Sequence, residues 1–476
     1  MTASNASSDG ALALGSAFTY NGGTVELWMD PLGLDVKQGG EKTLHVTWQD
    51  VVGASSNSTT LHIGTCVKDS HGHRQLDTIV LEGPVSEDVG KFANAIRYIA
   101  KFHHFHKSSL PSIDDMADKA PPAQTCLVLI NPVGGTGHAQ RTYDHKVHAV
   151  FEAANIVVTK VLTKHEAHAT DIVESLDLTE YAFVVCVGGD GLVSEVVQGL
   201  MKRPDWVQAI RFPIGIIPGG SGNGLVKSLL HINHEEYSAV NSAYAIVKGS
   251  PQPLDMATTR NASSTRYSFL SLSWAFIADV DLDSERYRFM GSARFTMAAV
   301  IKMLSLKRWR GRLTYLVPEG ETSSQPQSYW DMHGNDASSA APITSLLPAT
   351  MGGDFSEKWA TIDGNFSLFW SSSVSHPSWD VHLVPGATAN DGFVYLVVVE
   401  GVVSVWTMTR VLLGLETGAH AALKSVRVIK TRAFELKVDD TNFLSLDGER
   451  FAGNTVQVEV HRGLGRVMGL TPASSN

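Results

Sequence analysis

The chain has 476 residues, a hydrophobic share of 43%, a charged share of 18% and a formal net charge of −10 at pH 7. This length allows two or three domains with a sizeable core, and the composition is that of a soluble globular protein. The negative charge argues against a general nucleic-acid-binding protein, so no nucleic-acid partner is expected.

The cysteine content and the chain start indicate the compartment. Cys66, Cys126 and Cys186 are few and odd in number, and the last two lie in apolar strand-like runs, which predicts buried thiols in a reducing compartment. The first residues have neither the basic nor the apolar region of a secretory signal, and residues 1–15 are predicted to be disordered. We therefore expect a cytoplasmic protein.

Residues 16–106 alternate short strand-like runs with turn signals and then show a helical pattern. Runs such as Thr24–Trp28 and Thr43–Trp48 are typical of strands, and Phe92, Ile96 and Ile99 recur near helical spacing. Several strands followed by one helix predict a pleckstrin-homology-like (PH-like) module, a pattern shared with other small β domains. A linker rich in proline follows at residues 107–123.

Strands and helices alternate over residues 124–254, which predicts a three-layer α/β domain with a largely parallel sheet. The predicted strands are Cys126–Asn131, Ile156–Leu162, Phe183–Val187 and Ile214–Ile217, and the predicted helices lie near 139–154, 167–176 and 192–201. Residues 255–470 predict an antiparallel, β-sandwich-like domain with a flexible insertion at 318–343. Within this domain, Asn390-Asp391-Gly392 is a hairpin signal.

Three glycine-rich loops follow apolar strands of the α/β domain. They are Asn131-Pro132-Val133-Gly134-Gly135, Gly188-Gly189-Asp190-Gly191 and Pro218-Gly219-Gly220-Ser221-Gly222-Asn223. Loops at the carboxyl ends of neighbouring strands converge on one crevice in an open α/β sheet, and glycines let a phosphate approach the backbone. The set predicts phosphate chemistry with one carboxylate, Asp190, at its centre. A turn aspartate that only caps the next helix is the alternative.

Several standard motifs are absent. No glycine loop carries the lysine of a P-loop or the dinucleotide fingerprint, and the protein-kinase elements H-R-D and D-F-G do not occur. His165 and His168 are spaced i, i+3 without a third ligand, which indicates surface residues at a helix start; the other histidines have no ligand spacing. The sequence leaves the metal ligands unassigned.

The sequence resembles the sphingosine kinase family, within the wider diacylglycerol kinase-like lipid kinases. The three glycine loops, Leu162-Thr163 and the run from Gly189 to Leu200 match elements that the superfamily shares. The segment from Phe269 to Arg288, followed by Arg294-Phe295-Thr296, resembles the sphingosine-binding segment of the family. The resemblance extends from Cys126 to Leu464, so residues 1–110 match only loosely.

The resemblance implies roles for individual residues. Asp190 would be the general base that takes the proton of the lipid hydroxyl, and Asp281 would pair with the amino group of the long-chain base, a role that Asp279 could share. A solvated acidic run is the alternative for Asp279 and Asp281. The further substrate-binding residues would be Gly188, Gly189, Gly191 and Ser271.

ATP and Mg²⁺ are implied in the same way. Asp447-Gly448-Glu449 matches the family's terminal D-G-E element, a contact for Mg-ATP, with a plain hairpin turn as the alternative. The predicted ATP-binding residues are Asn131, Pro132, Val133, Gly134, Gly135, Thr163, Glu195, Gly220, Ser221, Gly222, Arg288, Arg294, Asp447, Gly448 and Glu449. The chain departs from the family pattern at Val133, where many members carry arginine, and at Gly188, where serine is frequent.

Residues 294–310 form a basic, amphipathic stretch that overlaps a helix predicted near 291–309. It fits a calmodulin-like partner or an anionic membrane, and equally a lid over the lipid tail. Met297, Val300 and Ile301 are candidates for membrane contact, since long-chain bases partition into bilayers. We therefore expect peripheral association with membranes.

Together these observations predict an ATP- and Mg²⁺-dependent kinase that phosphorylates the primary hydroxyl of sphingosine-type long-chain bases. A ceramide or diacylglycerol kinase is the first alternative, and it would have little use for Asp281 because its substrate lacks a cationic amine. A catalytically silent lipid-binding scaffold is the second, and the intact Asp190, Asp447 and Glu449 argue against it.

Overall fold

The computed structural model describes residues 12–83, 86–101, 110–135, 137–275, 309–318, 325–334, 341–439 and 444–471. The chain divides into two compact units. The smaller consists of Met1–Leu127, Arg141–Thr159 and Ser238–Ser250, and the larger consists of Val128–Gln140, Lys160–Tyr237 and Pro251–Asn476.

The smaller unit contains a seven-stranded antiparallel sheet in the order β4-β3-β2-β1-β7-β6-β5. Its strands are β1 Leu12–Tyr20, β2 Gly23–Met29, β3 Gly33–Gln38, β4 Glu41–Thr47, β5 Val51–Asn57, β6 Thr60–Lys68 and β7 Arg74–Glu82. Alternate residues of β2 are buried, with Val25, Leu27 and Met29 in the core, as the period of a strand requires. The predicted N-terminal sheet is therefore present.

Helices complete the smaller unit. After β7 come α1 (Ser86–Lys101) and α2 (Ile113–Asp118), and α1 buries Val89, Ala93 and Ile96 at helical spacing. The unit also includes α4 (His148–Ala153) and α9 (Ala239–Lys248), which come from much later in the chain.

An α/β arrangement follows from residue 124, as the alternating pattern predicts. The strands are β8 Gln124–Ile130, β9 Ile156–Leu162, β10 Phe183–Gly188 and β11 Ile214–Pro218, and the remaining helices are α3 Ala139–Thr142, α5 His168–Ser175, α6 Asp190–Lys202, α7 Trp206–Ala209 and α8 Gly224–Ile232. The order is β11-β10-β8-β9, and β10 and β11 pair in parallel. Every residue of β10 is buried, in agreement with its continuous apolar run.

The C-terminal region of the larger unit is mostly antiparallel β. Its strands are β12 Ser250–Arg260, β13 Thr265–Ser268, β14 Ser271–Ala275, β15 Trp309–Leu316, β16 Trp359–Ser372, β17 Val394–Glu400, β18 Arg427–Thr431, β19 Ala433–Val438, β20 Leu444–Leu446, β21 Glu449–Phe451 and β22 Thr455–Gly469. Trp274, Trp309, Phe366 and Phe434 are fully buried in its core. The long β22 pairs with β19 and also, in parallel, with β11, so β22 joins the two kinds of sheet.

Two sequence predictions differ from the structure. Asn390-Asp391-Gly392 is not a hairpin between adjacent strands: it ends the long connection from β16 to β17, and Asp391 accepts hydrogen bonds from the Phe393 N–H and the Tyr395 hydroxyl. Part of the insertion predicted to be flexible packs as a helix, α10 (Tyr329–His333), because Tyr329 is buried and Trp330 donates to the carbonyl of Gly463.

The helix predicted near 291–309 lies outside the described residues except for its last position, Trp309, which begins β15. One further helix, α11 (Val405–Gly414), connects β17 to β18. Among the helices that the structure describes, none is both long and apolar enough to span a bilayer.

Candidate functional site

Asp190 is the first residue of α6 and follows the glycine turn at the end of β10. Its side chain is buried: Oδ2 accepts the N–H of Gly224 at 2.9 Å, and Oδ1 accepts the N–H of Leu225 at 3.3 Å. Burial raises the pKa of the Asp190 carboxyl, and these N–H donors oppose the rise. The carboxylate thus caps α8 rather than its own helix, which places a charge where the second and third glycine loops meet.

The third loop is closed by Asn223, whose left-handed backbone has φ +53°. Its amide Oδ1 accepts the N–H of Gly220 at 3.1 Å, and its Nδ2 donates to the Gly220 carbonyl at 2.8 Å. A Cβ on Gly220 would lie 2.4 Å from the Cα of Gly189, so only glycine permits this approach of the second and third loops.

The first loop reaches the same place. Asn131 accepts the N–H groups of Val133 and Gly134 at 3.1 and 3.0 Å, which folds the loop back on the end of β8. Gly135 has φ +58°, and a Cβ there would lie 2.8 Å from the carbonyl oxygen of Gly219. The structure therefore brings the three loops into backbone contact around Asp190.

A hairpin from far along the chain completes the cluster. Asp447 and Gly448, with φ +51° and +84°, form the two-residue turn between β20 and β21. Oδ1 of Asp447 accepts the N–H groups of Leu270 and Ser271 at 3.2 and 2.9 Å. Burial raises the pKa of Asp447 to about 7, and the negative charge of Asp190 adds to the rise. The two carboxyls are thus close enough to influence each other.

Glu449 lies at the second loop: a Cβ added to Gly191 would lie 3.5 Å from Oε1 of Glu449. Its Oε2 accepts a hydrogen bond from Arg266 at 2.8 Å, an ion pair exposed to solvent. Nothing in the sequence pattern indicates Arg266, because its position next to Glu449 depends on how β13 and β21 pack.

Two predicted ATP-binding side chains are engaged by the protein. The hydroxyl of Thr163 donates to the carbonyl of Ile130, and Oε2 of Glu195 accepts the N–H of Ala169 at the start of α5. Burial raises the pKa of Glu195. Both residues therefore hold the framework beside the loops.

Of the other predicted residues, some lie at the site and some lie outside the described residues. Ser271 begins β14 beside Asp447, and a Cβ added to Gly222 would lie 3.3 Å from Oδ2 of Asp190. Asp279, Asp281, Arg288 and Arg294 lie outside the described residues.

An α/β domain whose glycine loops enclose a buried carboxylate, joined to a β domain that adds two more acids, is the arrangement of a diacylglycerol kinase-like lipid kinase. Residues 125–259 match the family model for the diacylglycerol kinase catalytic domain, and residues 379–469 match that for the YegS C-terminal NAD kinase beta sandwich-like domain. Sphingosine kinase 1 of Arabidopsis thaliana is 31% identical over 82% of this chain and 78% of its own length. Sphingosine kinase 1 of Homo sapiens is 33% identical over 70% of this chain and 88% of its own. The chain belongs to the sphingosine kinase family.

A solved structure agrees on the fold. A candidate diacylglycerol kinase from Bacillus anthracis str. Sterne has a TM-score of 0.50 and 15% identity, and the match covers 73% of this chain and 96% of that one. The predicted α/β fold with a C-terminal β-sandwich is confirmed.

Proposed function

We propose that the protein transfers the γ-phosphoryl group of ATP to the primary hydroxyl of a sphingoid base. The observation that carries this proposal is the buried Asp190 at the junction of three bare glycine loops, in a chain of the sphingosine kinase family. Catalysis of phosphoryl transfer consists largely of positioning and of compensating charge, which suits such a junction.

Asp190 would act as the general base. It accepts the proton of the lipid hydroxyl as that oxygen bonds to the transferred phosphorus and ADP leaves with the electrons of the broken bond. A carboxyl with a raised pKa is a stronger base, and the N–H groups of Gly224 and Leu225 still favour its ionised form. The same two hydrogen bonds fix the direction of the carboxylate.

The loops would hold ATP. Gly135, Gly189 and Gly220 let the three loops pack backbone against backbone at the strand ends. Glycine-rich loops of this kind offer their N–H groups to phosphate oxygens. The complete set is the one predicted from the sequence: residues 131–135, Thr163, Glu195, residues 220–222, Arg288, Arg294 and residues 447–449.

Mg²⁺ fits the acids of the D-G-E hairpin, since Mg²⁺ prefers oxygen ligands and commonly bridges a carboxylate and a phosphate. Asp447 and Glu449 would hold the ion, and when bound it would compensate the negative charge of the phosphates. The rise of the Asp447 pKa caused in part by Asp190 agrees with a site where negative charges accumulate.

The sphingoid base would contact Gly188, Gly189, Gly191 and Ser271, with Asp281, assisted by Asp279, pairing with its amine. We test this with radiolabelled ATP against sphingosine, ceramide and diacylglycerol. Phosphate transfer to sphingosine is expected, and a preference for ceramide or diacylglycerol would contradict the choice of substrate. Absence of transfer to all three would favour the silent scaffold.

Asp190→Asn tests the base. Loss of a general base typically reduces turnover by about 10²–10⁴-fold, while the amide oxygen of the introduced side chain can still accept an N–H of α8. The measurement is kcat for sphingosine, with the melting temperature as the control for folding. Turnover within about tenfold of wild type would show that the base is elsewhere.

We also propose cytoplasmic location with peripheral membrane contact. Besides the predicted Met297, Val300 and Ile301, helix α11 exposes Trp406 and Leu413 at 72% and 74%. Exposed tryptophan and leucine on one short helix suit a bilayer interface. Trp406→Ser combined with Leu413→Ser should weaken cosedimentation with anionic vesicles, whereas Val157→Ser, which removes an exposed valine elsewhere, should not. Equal cosedimentation of wild type and both variants would exclude this surface.

Two finer proposals concern other segments. The order of the N-terminal sheet, two antiparallel meanders followed by α1, supports a PH-like module, whose ligand a fold alone does not specify. The basic stretch 294–310 supports a calmodulin-like partner, and Ca²⁺-dependent retention on immobilised calmodulin tests it.

A further inference from the structure

Three histidines that are far apart in the sequence lie together in the larger unit. His231 occupies the last turn of α8, and His376 and His382 lie in the connection from β16 to β17. The ring centroids are 4.7 Å apart for His231 and His376, 5.1 Å for His231 and His382, and 4.3 Å for His376 and His382. One ring nitrogen of each lies within 4.8 Å of the others.

The nitrogens of this histidine cluster (His231, His376 and His382) are suited to coordination. Nδ1 of His376 lies 2.9 Å from the hydroxyl of Ser375, so that donation of the Nδ1 proton to Ser375 leaves the Nε2 lone pair available. Nε2 of His382 is buried and has no hydrogen-bond partner among the described residues. A buried polar atom without a partner costs free energy, which a bound ion would recover.

Burial disfavours protonation of all three imidazoles. It lowers the pKa of His376 to about 3, and it also lowers the pKa values of His231 and His382. Lys227, one turn before His231, contributes to this lowering, and its charge also opposes a bound cation. The affinity should therefore be lower than that of a site that includes a carboxylate.

We infer that His231, His376 and His382 bind one divalent transition-metal ion of the zinc type. Imidazole nitrogens suit Zn²⁺, whereas Mg²⁺ requires oxygen ligands, so this site is chemically distinct from one for Mg-ATP. Zn–N bonds of about 2.0–2.1 Å require the nitrogens to approach to about 3.4 Å. The rings of His376 and His382 are stacked with 7° between their planes, so they must turn for both lone pairs to point at one ion. Water would complete the tetrahedron on the side of His231, which is exposed.

The position of the cluster gives the ion a structural role. His376 is already attached to α8, because its N–H donates to the hydroxyl of Ser228 at 2.9 Å and its carbonyl accepts from the same hydroxyl at 3.2 Å. The first N–H groups of α8 hold Asp190. An ion that joins the last turn of α8 to residues 376–382 would therefore stabilise the helix that orients this carboxylate.

His231→Gln tests the inference, since an exposed side chain can be replaced without disturbing the core. The full-length protein is stripped with a chelator, and Zn²⁺ binding is measured by competition with a fluorescent chelator and by metal analysis after gel filtration. His165→Gln is the matched control: His165 and His168 also have rings 4.7 Å apart, but they belong to no group of three ligands in the described part of the chain.

Wild type and His165→Gln should bind one equivalent of Zn²⁺, and His231→Gln should bind at least tenfold more weakly. Zn²⁺ should raise the melting temperature of the first two proteins only, because a ligand stabilises the state that binds it. Equal melting temperatures of the three metal-free proteins establish that His231→Gln folds. No stoichiometric Zn²⁺ in wild type, or the same affinity in His231→Gln, would overturn the inference.

Discussion

The proximity of Asp190 and Asp447 determines how the protein should respond to pH. Burial raises the pKa of both carboxyls, and the charge of Asp190 adds to the rise at Asp447. A base with a raised pKa becomes protonated at a higher pH than usual, so turnover should fall as the pH decreases through that value. Because the two groups interact, the acidic limb of the pH profile reports on the pair.

Asp447→Asn separates the effect of burial on the pKa of Asp190 from the effect of the neighbouring negative charge. The amide oxygen of the introduced side chain can keep both N–H bonds from Leu270 and Ser271, while the negative charge beside Asp190 disappears. The pKa of Asp190 should then fall, and the acidic limb of kcat should move to lower pH. The position of the limb at saturating Mg²⁺ is the measurement, because a bound cation would itself lower the pKa of Asp190 and must be present in both proteins. Asp177→Asn is the control, because Asp177 is an exposed acid that accepts the N–H of Thr179, and it should leave the limb in place. An unmoved limb in Asp447→Asn would show that the carboxyls of Asp190 and Asp447 are not coupled.

At the scale of elements, two glycines inside helices should respond oppositely to alanine. A Cβ on Gly90 in α1 would meet only the hydroxyl of Ser56, at 3.7 Å, so Gly90→Ala should stabilise the protein by about 0.5–1 kcal/mol. A Cβ on Gly199 in α6 would lie 2.8 Å from the Thr170 carbonyl oxygen of α5, so Gly199→Ala should destabilise it by about 1–3 kcal/mol. Urea unfolding measures both, and each variant serves as the control for the other. Stabilisation by both substitutions would mean that helix propensity, not packing, governs both sites.

Sequence patterns anticipated elements whose signal is local. The apolar run of β10, the glycine loops and the helical spacing of α1 are each contained in a few residues, and each corresponds to an observed element. The sequence pattern does not indicate strands such as β3 and β5, because glycine, serine and charged residues interrupt their apolar pattern. Asn390-Asp391-Gly392 predicts a tight hairpin but ends a long connection, because a turn motif specifies local geometry and not which strands it joins.

Contacts between segments that are far apart in the sequence leave little or no signal in the sequence pattern. The approach of Asp447 to Asp190 was expected only from the family resemblance, and the ion pair between Arg266 and Glu449 was not expected at all. No spacing in the sequence indicates the histidine cluster, because His231 and His376 come from separate elements that only the fold brings together.

For the whole molecule, the assignment of segments to units bears on the N-terminal sheet. The boundaries predicted from the sequence, with a module at 16–106 and a linker at 107–123, stay a prediction. In the structure the same compact unit that contains the sheet includes α4 and α9, although residues 125–259 match the catalytic-domain model. Part of the catalytic domain therefore shares a unit with the sheet.

Removal of the sheet should consequently destabilise the chain. Lys248 of α9 donates to the carbonyls of Trp48, Val51 and Ala100, and burial lowers the pKa of its ammonium group to about 7. Tyr244 donates to the carbonyl of Gln49.

A chain that starts at Lys107 loses all of these acceptors and exposes the helix faces that the sheet covers, so it should elute as aggregates and lose most of its kinase activity. A chain that starts at Leu12 keeps β1 to β7 and should remain monodisperse and active. Size-exclusion chromatography with the sphingosine assay compares them, and a soluble, active chain from Lys107 would show that the sheet is a removable module.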